Sequence, residues 1–109
     1  MITWDDFEKL DIRCGTITEA KEFAAARKPA YQLIIDFGPL GSKRSSAQIT
    51  YHYTLADLPG RQVIAVVNFP PKQIADFISE CLVLGIYDEQ RQVVLLQPER
   101  NVKDGRKIG

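Results

Sequence analysis

The sequence predicts an all-β barrel, and three observations carry that prediction. Tyr31, Leu33, Ile35 and Phe37 alternate with Gln32 and Asp36, the period-two pattern of a half-buried strand. Val63-Ile64-Ala65-Val66-Val67 is an unbroken strand-forming run, too short for a membrane span, and Ser79-Glu80-Cys81-Leu82-Val83-Leu84-Gly85 answers it. Finally, the strand starting at Ile12 loses its phase near Gly15: Ile12 and Cys14 point one way, and the next inward residue is Ile17. A glycine at a phase slip predicts a bulge there, the device that bends a long strand around a barrel corner.

Taken in order, Thr3 to Leu10 reads as a short N-terminal helix. Thr3 caps it, Asp5 and Asp6 favour its positive end, and Phe7 with Leu10 forms a small apolar face. The bulged strand runs from Ile12, and Ala24 to Pro29 is a connection. Gly38-Pro39-Leu40-Gly41 turns the Tyr31 strand back as a hairpin. The returning strand, Lys43 to Thr50, sets Ser45, Ala47 and Ile49 against Arg44, Ser46 and Gln48. Its small residues imply close backbone packing or a face kept shallow for a ligand.

Thr54 to Leu58 is a helical turn, stopped by Pro59-Gly60. The Val63 strand ends at Asn68, which favours turns, and at Pro70-Pro71, which can neither donate to a ladder nor sit inside a helix. This predicts a rigid corner carrying Lys72. The strand from Cys81 to Ile86 is apolar on both parities and is expected to be covered on both sides. After the polar turn Asp88-Glu89-Gln90-Arg91 comes Val93 to Leu96, and the tail from Pro98 reads as an extended, mostly exposed arm. A bulged first strand, about five strands in all and a small helix between strands three and four describe an OB-fold barrel, expected as one domain over residues 1–109.

Composition excludes several function classes. Lys+Arg and Asp+Glu are 14 each, so no whole-molecule field draws the chain to a polyanion. From Arg27 to Lys72, however, six basic residues (Arg27, Lys28, Lys43, Arg44, Arg61, Lys72) face two acidic ones, which permits a local cationic face. The only histidine, His52, lies between Tyr51 and Tyr53, and no G-x-S-x-G elbow or Gly-rich phosphate loop is present. One histidine and two scattered cysteines cannot supply a zinc shell. No enzyme, no cofactor and no metal are therefore expected. Cys14 and Cys81 form no CxxC pair, and with no signal-peptide pattern they fit buried thiols in a reducing cytoplasm. No run is long enough for membrane insertion.

Binding suits the residues better. OB barrels bind oligonucleotides along strands two and three and the flanking loops. Here Arg27, Lys28, Lys43, Arg44 and Lys72 are placed to meet phosphates, and Asn68 and Ser79 to meet sugar or base edges. Phe69 and Leu82 are the candidates for an apolar peptide-binding surface. The same residues admit a plainer reading, with Phe69 in the core and Lys43-Arg44 as charges guarding an edge strand.

The run Asp6 to Gly15 resembles the opening of the free-standing tRNA-binding-domain proteins. Ser45 to Thr50, Gln62 to Pro71 and Val93 to Pro98 resemble the CsaA branch of that family, described as secretion chaperones. The resemblance implies an OB barrel whose terminal extensions help build a homodimer, and a partner that is an unfolded or export-bound polypeptide. For the wider group it implies recognition of tRNA by shape, so a structure-specific tRNA-binding protein is the alternative. The group's Ser-Glu-Gly-Met segment, associated with tRNA contact, corresponds to Ser79-Glu80-Cys81-Leu82. Ser79 and Glu80 match, whereas Cys81 replaces a glycine that allows close approach and Leu82 replaces a methionine.

Overall fold

The structure, a computed structural model, describes residues 1–109. Its first element, α1 (Trp4–Glu8), is fixed by reciprocal capping. The Thr3 hydroxyl accepts from the Asp6 N–H at 3.2 Å, and the Asp6 carboxylate accepts from the Thr3 N–H at 3.0 Å. Both partners of the box sit in the sequence where the helix was expected to start.

The long strand β1 (Ile12–Glu22) lies at the centre. It pairs with β2 (Tyr31–Asp36) on one edge and β4 (Gln62–Val66) on the other. With β3 (Ser42–Ala47) and β7 (Leu82–Val83), the sheet order is β3-β2-β1-β4-β7, antiparallel throughout. The core holds Ile17, Leu33, Ile35, Phe37, Leu58 and Val63, all fully buried, and β2 alternates as its sequence predicts. The helical turn between β3 and β4 is a 3-10 turn, Leu55–Asp57, capped by Thr54 and Asp57 on each other.

Several expectations are corrected. The irregularity in β1 falls between Ile17 and Glu19, not at Gly15. Gly15 has a different reason to be glycine: a Cβ there would lie 2.7 Å from the side chains of Ile35 and Phe37. It makes room for core side chains and does not bend the strand. The third strand stops at Ala47, short of Thr50. Beyond β4, the expected corner opens into a hairpin of β5 (Lys72–Ile74) and β6 (Phe77–Ser79). Its tip places Ala75 at φ 52°, a conformation that glycine or asparagine would have signalled and alanine does not. Phe77 anchors the hairpin by packing on Phe23, with ring centroids 5.4 Å apart, in a satellite core that includes Ala30.

The expected strand from Cys81 to Ile86 is divided. Its first part is β7, paired with β4; its second is β8 (Gly85–Tyr87), paired with β9 (Val93–Leu95). Leu82 and Ile86 are exposed, so this segment is not covered on both sides within the chain.

The barrel closes where β3 meets the link between β6 and β7. The Glu80 N–H donates to the Arg44 carbonyl at 2.7 Å, and the Arg44 N–H donates to the Glu80 carboxylate at 3.0 Å. The Ser46 N–H donates to the Ser79 hydroxyl at 3.1 Å. The small residues of β3 divide between the two readings: Ser45 is fully buried in this seam, whereas Ser46 lines the surface on the other side.

The tail corrects a further expectation. Its side chains from Asn101 to Lys103 and from Arg106 onward are exposed, but its backbone is docked. Cys14 donates to the Arg106 carbonyl at 3.0 Å, Gly105 to the Cys14 carbonyl at 2.7 Å, and Ile108 to the Ile12 carbonyl at 2.9 Å. The tail thus fills the edge of β1 that β2, ending opposite Thr16, leaves open. Cys14 and Cys81 are free and buried. No helix is long and apolar enough to cross a membrane.

Candidate functional site

The β5–β6 hairpin and the Phe69-Pro70-Pro71 segment that follows β4 line a groove of about 640 Å³ against the β3–β7 seam. Four of the residues singled out in the sequence line it: Phe69, Lys72, Ser79 and Leu82. The question left open for Phe69 is answered, since half of its surface is exposed and it takes no part in the core. Leu82 is 47% exposed and also lines it. Pro70, Pro71 and Ile74 complete a largely apolar lining. Phe69 lies at a bend, and the two prolines that follow donate no hydrogen bonds and restrict the backbone, so an apolar side chain is kept at the surface at low entropic cost.

The remaining candidates disperse. Arg44 faces outward from β3, with its guanidinium carbon 5.4 Å from the centre of the Phe77 ring and its Nε 3.6 Å from Glu80. Lys43, one residue earlier and so of opposite parity, is half-buried on the side of Ser45. The two neighbours therefore do not share a face. Arg27 and Lys28 are exposed on the β1–β2 loop, and Lys28 reaches a second groove next to Leu82.

Two candidates have internal partners. The Asn68 side chain accepts from the Asp11 N–H at 2.9 Å and donates to the Lys9 carbonyl at 2.8 Å, tying the end of β4 to the segment before β1. The Ser79 hydroxyl accepts from Ser46, as described, and lies 3.4 Å from the Cys81 carbonyl. Cys81 itself, at the back of the groove, is only 6% exposed. Burial pushes its thiol up to about 11, with the nearby Lys43 acting weakly in the opposite sense. A thiol that stays protonated is neither a nucleophile nor a metal ligand. The site can therefore sequester apolar side chains beside one cation, and its geometry is set by a rigid wall and an anchored hairpin.

Sequence reasoning missed the hairpin and, beyond it, the exposed aromatics Tyr51 and Tyr87. Tyr51 was visible beside His52, but nothing in the sequence pattern separates an exposed tyrosine from a core one. His52 serves as a strut, with its Nε2 2.7 Å from the Asp88 carboxylate.

A family model described as "Putative tRNA binding domain" matches residues 12–107. Among curated proteins, the chain is 34% identical over 107 residues to a methionine–tRNA ligase of Bacteroides fragilis, covering 98% of this chain and 16% of the ligase. It is 33% identical over 105 residues to that of Methanococcoides burtonii, covering 96% and 15% respectively. The chain thus spans only a small part of the length of these ligases. Among solved structures, it is similar to the chaperone CsaA of Bacillus anthracis str. Ames, with 56% identity, a TM-score of 0.95, and coverage of 100% of this chain and 99% of that one. The CsaA chaperone protein of Picrophilus torridus is 54% identical, with a TM-score of 0.94 and full coverage of both chains, 100% each.

Proposed function

The chain belongs to the tRNA-binding-domain family, and from that premise we propose that it is a CsaA-like, non-catalytic protein that holds unfolded or export-bound polypeptide in the groove between Phe69 and Leu82. The observation that carries this reading is a largely apolar groove of about 640 Å³ whose lining includes two half-exposed large side chains, Phe69 at 50% and Leu82 at 47%. An extended segment would place alternate side chains there and bond through its own main chain. The similarity to two CsaA chaperones over the full chain supports the same reading.

Dimerisation is part of the proposal. Ile86 and Val94, 60% and 42% exposed, are cross-strand neighbours on β8 and β9, and Trp4, 73% exposed, lies with Phe7, Leu10 and Ile108 of the terminal segments, so two apolar surfaces are left to be covered. A stable dimer would bury at least ~1,000 Å² in total. The cytoplasm is the proposed compartment, consistent with two thiols left free.

A second reading has its own support. The family is one of tRNA-binding domains, and Lys72 on β5 and Arg44 over the Phe77 ring of β6 bring two cations to the β5–β6 hairpin. In that reading Arg27, Lys28, Lys43, Arg44 and Lys72 meet phosphates. Changing Phe69 to Asp separates the two readings. It should abolish binding of a permanently unfolded polypeptide, because a carboxylate would be desolvated in the groove. Unchanged polypeptide binding by a folded Phe69→Asp protein would reject the groove as the site.

A further inference from the structure

The β8–β9 hairpin stands apart from the barrel. It forms a two-stranded sheet of its own, with no ladder to the other strands. Its base is fastened: Leu95 is buried in the main core, and the Leu95 N–H donates to the Tyr53 hydroxyl at 2.9 Å. Gly85 lets the two strands close up there, since a Cβ would lie 2.9 Å from the Val94 carbonyl. The tip is held differently. From Tyr87 to Gln92 no residue is buried, and one hydrogen bond leaves the tip for the rest of the molecule, from His52 Nε2 to the Asp88 carboxylate at 2.7 Å. The same carboxylate accepts from the N–H groups of Gln90 and Gln92, each at 2.9 Å, and so shapes the turn in which Arg91 has φ 61°.

This contact spans the mouth of a second groove, of about 720 Å³, lined by the segment from Ser46 to Tyr51 and by Tyr87, Arg91, Gln92 and Val93 of the hairpin. His52 directly follows one lining segment and Asp88 directly follows Tyr87. The separation of the two sides is therefore set, at the tip, by a single side-chain pair.

The strength of that pair follows protonation. Histidine is the side chain whose charge ordinarily changes between pH 5 and 8. The Asp88 carboxyl stays ionised throughout that range, held below the usual carboxylate value chiefly by the Gln92 N–H and next by His52. An imidazolium makes a charge-assisted bond to it, and a neutral imidazole an ordinary one. The other charged or titratable groups on the surrounding elements are Glu89 and Arg91 on the same turn, Lys28 at the groove, and the Tyr51 and Tyr53 rings, with centroids 4.9 and 6.4 Å from the imidazole. Arg61 lies over Tyr53, 5.1 Å from its ring centre. None of these makes an ion pair with His52, whose one carboxylate partner is Asp88.

We propose that the tip of the β8–β9 hairpin is a flap at this groove, latched to the β3–β4 connection by His52 and Asp88, and that the latch tightens when His52 takes up a proton. Closure gives the imidazolium a carboxylate partner. Its stabilisation of the closed flap is therefore present in mildly acidic solution and lost as pH rises through the histidine range. Above that range the tip opens more often and widens the groove beside Leu82, which also lines the Phe69 groove. The inference does not depend on what either groove holds.

The test is amide solvent exchange followed by NMR at pH 5.5 and 7.5, expressed as protection relative to the unstructured chain so that the intrinsic pH dependence of exchange cancels. The Asp88 and Gln92 N–H groups are bonded within the tip and should be about two- to five-fold better protected at pH 5.5, the range of a partly exposed ion pair. The Leu95 N–H, at the fastened base, should not change. His52→Gln keeps a donor for Asp88 but takes no charge, and its tip should be equally protected at both pH values. Asp88→Asn keeps an acceptor oxygen for the turn and should also lose the pH response. Thermal melts confirm folding; should one variant not fold, the other decides together with the parent. Equal tip protection at both pH values in the parent, or a parental response retained by His52→Gln or by Asp88→Asn, would overturn the proposal. So would a Leu95 amide that responds as strongly as the tip, since the whole hairpin would then be opening.

Discussion

The Ser45 hydroxyl donates to the Cys81 carbonyl at 3.0 Å, and both residues are buried. This bond spans the only part of the barrel with no regular ladder, between β3 and β7. Changing Ser45 to Ala leaves the carbonyl with only the longer contact to Ser79 and should cost about 1–3 kcal/mol. The loss would register as a lower urea midpoint with an unchanged slope. A midpoint equal to the parent's would mean that the seam is held by Glu80 and Ser79 alone.

Thiol chemistry reports on the same closure and on the docked tail. Burial raises the pKa of both Cys14 and Cys81, so neither should react with a thiol reagent near pH 8 faster than the protein unfolds. Deleting Asn101 to Gly109 removes the bonds that Arg106 and Gly105 make to Cys14. Cys14 should then label rapidly while Cys81 remains protected, and the dimer should weaken. Equal protection of Cys14 in the truncated chain would show that its cover comes from elsewhere.

Asn68 is predicted to act on stability. Its amide makes bonds of 2.9 and 2.8 Å to backbone groups of Asp11 and Lys9. Asn68→Ala should lower stability by about 1–3 kcal/mol and speed hydrogen exchange at the Asp11 amide. A change in ligand affinity with neither effect would instead give Asn68 a direct contact role.

Acid should loosen the capped turns first. The Asp57 carboxyl is held below the usual carboxylate range, chiefly by the Thr54 backbone N–H, and that of Asp88 chiefly by the Gln92 N–H, with His52 next. A carboxyl whose folded pKa lies below its unfolded one stabilises the fold above the unfolded value, near 4, and that contribution is lost as pH falls through the folded value. Asp57→Asn should therefore flatten the fall in melting temperature below about pH 4 and leave pH 7–9 with the larger deficit. A parallel shift at every pH would exclude this linkage.

Much of the scaffold was legible because local chemistry dictated it. Thr3 and Asp6 spelled the helix start, the alternation of β2 left one register, and the run from Val63 read as a strand that the fold buries from Val63 to Val66. The parts that could not be read depend on contacts distant in sequence. Phe23 and Phe77 hold a hairpin whose tip residue, Ala75, is not a turn former. The tail looked free because its side chains are mostly polar, whereas its backbone completes an edge left open at Cys14, which bonds Gly105 and Arg106, 91 and 92 residues later in the chain. The site was half legible: Phe69, Lys72, Ser79 and Leu82 do share one groove. Lys43 and Arg44 part because adjacent strand residues face opposite ways.

The central claim is that the groove at Phe69 serves polypeptide first. Its most direct test is a parallel titration of the purified protein with a permanently unfolded polypeptide and with tRNA, each at about 50 and 200 mM salt. If the claim holds, polypeptide binds with an affinity that hardly moves with salt, since main-chain bonds and apolar contacts dominate. Any tRNA binding should then fall steeply, by roughly 0.7–0.9 log units per log unit of salt for each phosphate contact. Tight, salt-sensitive tRNA binding with no detectable affinity for the polypeptide would contradict it.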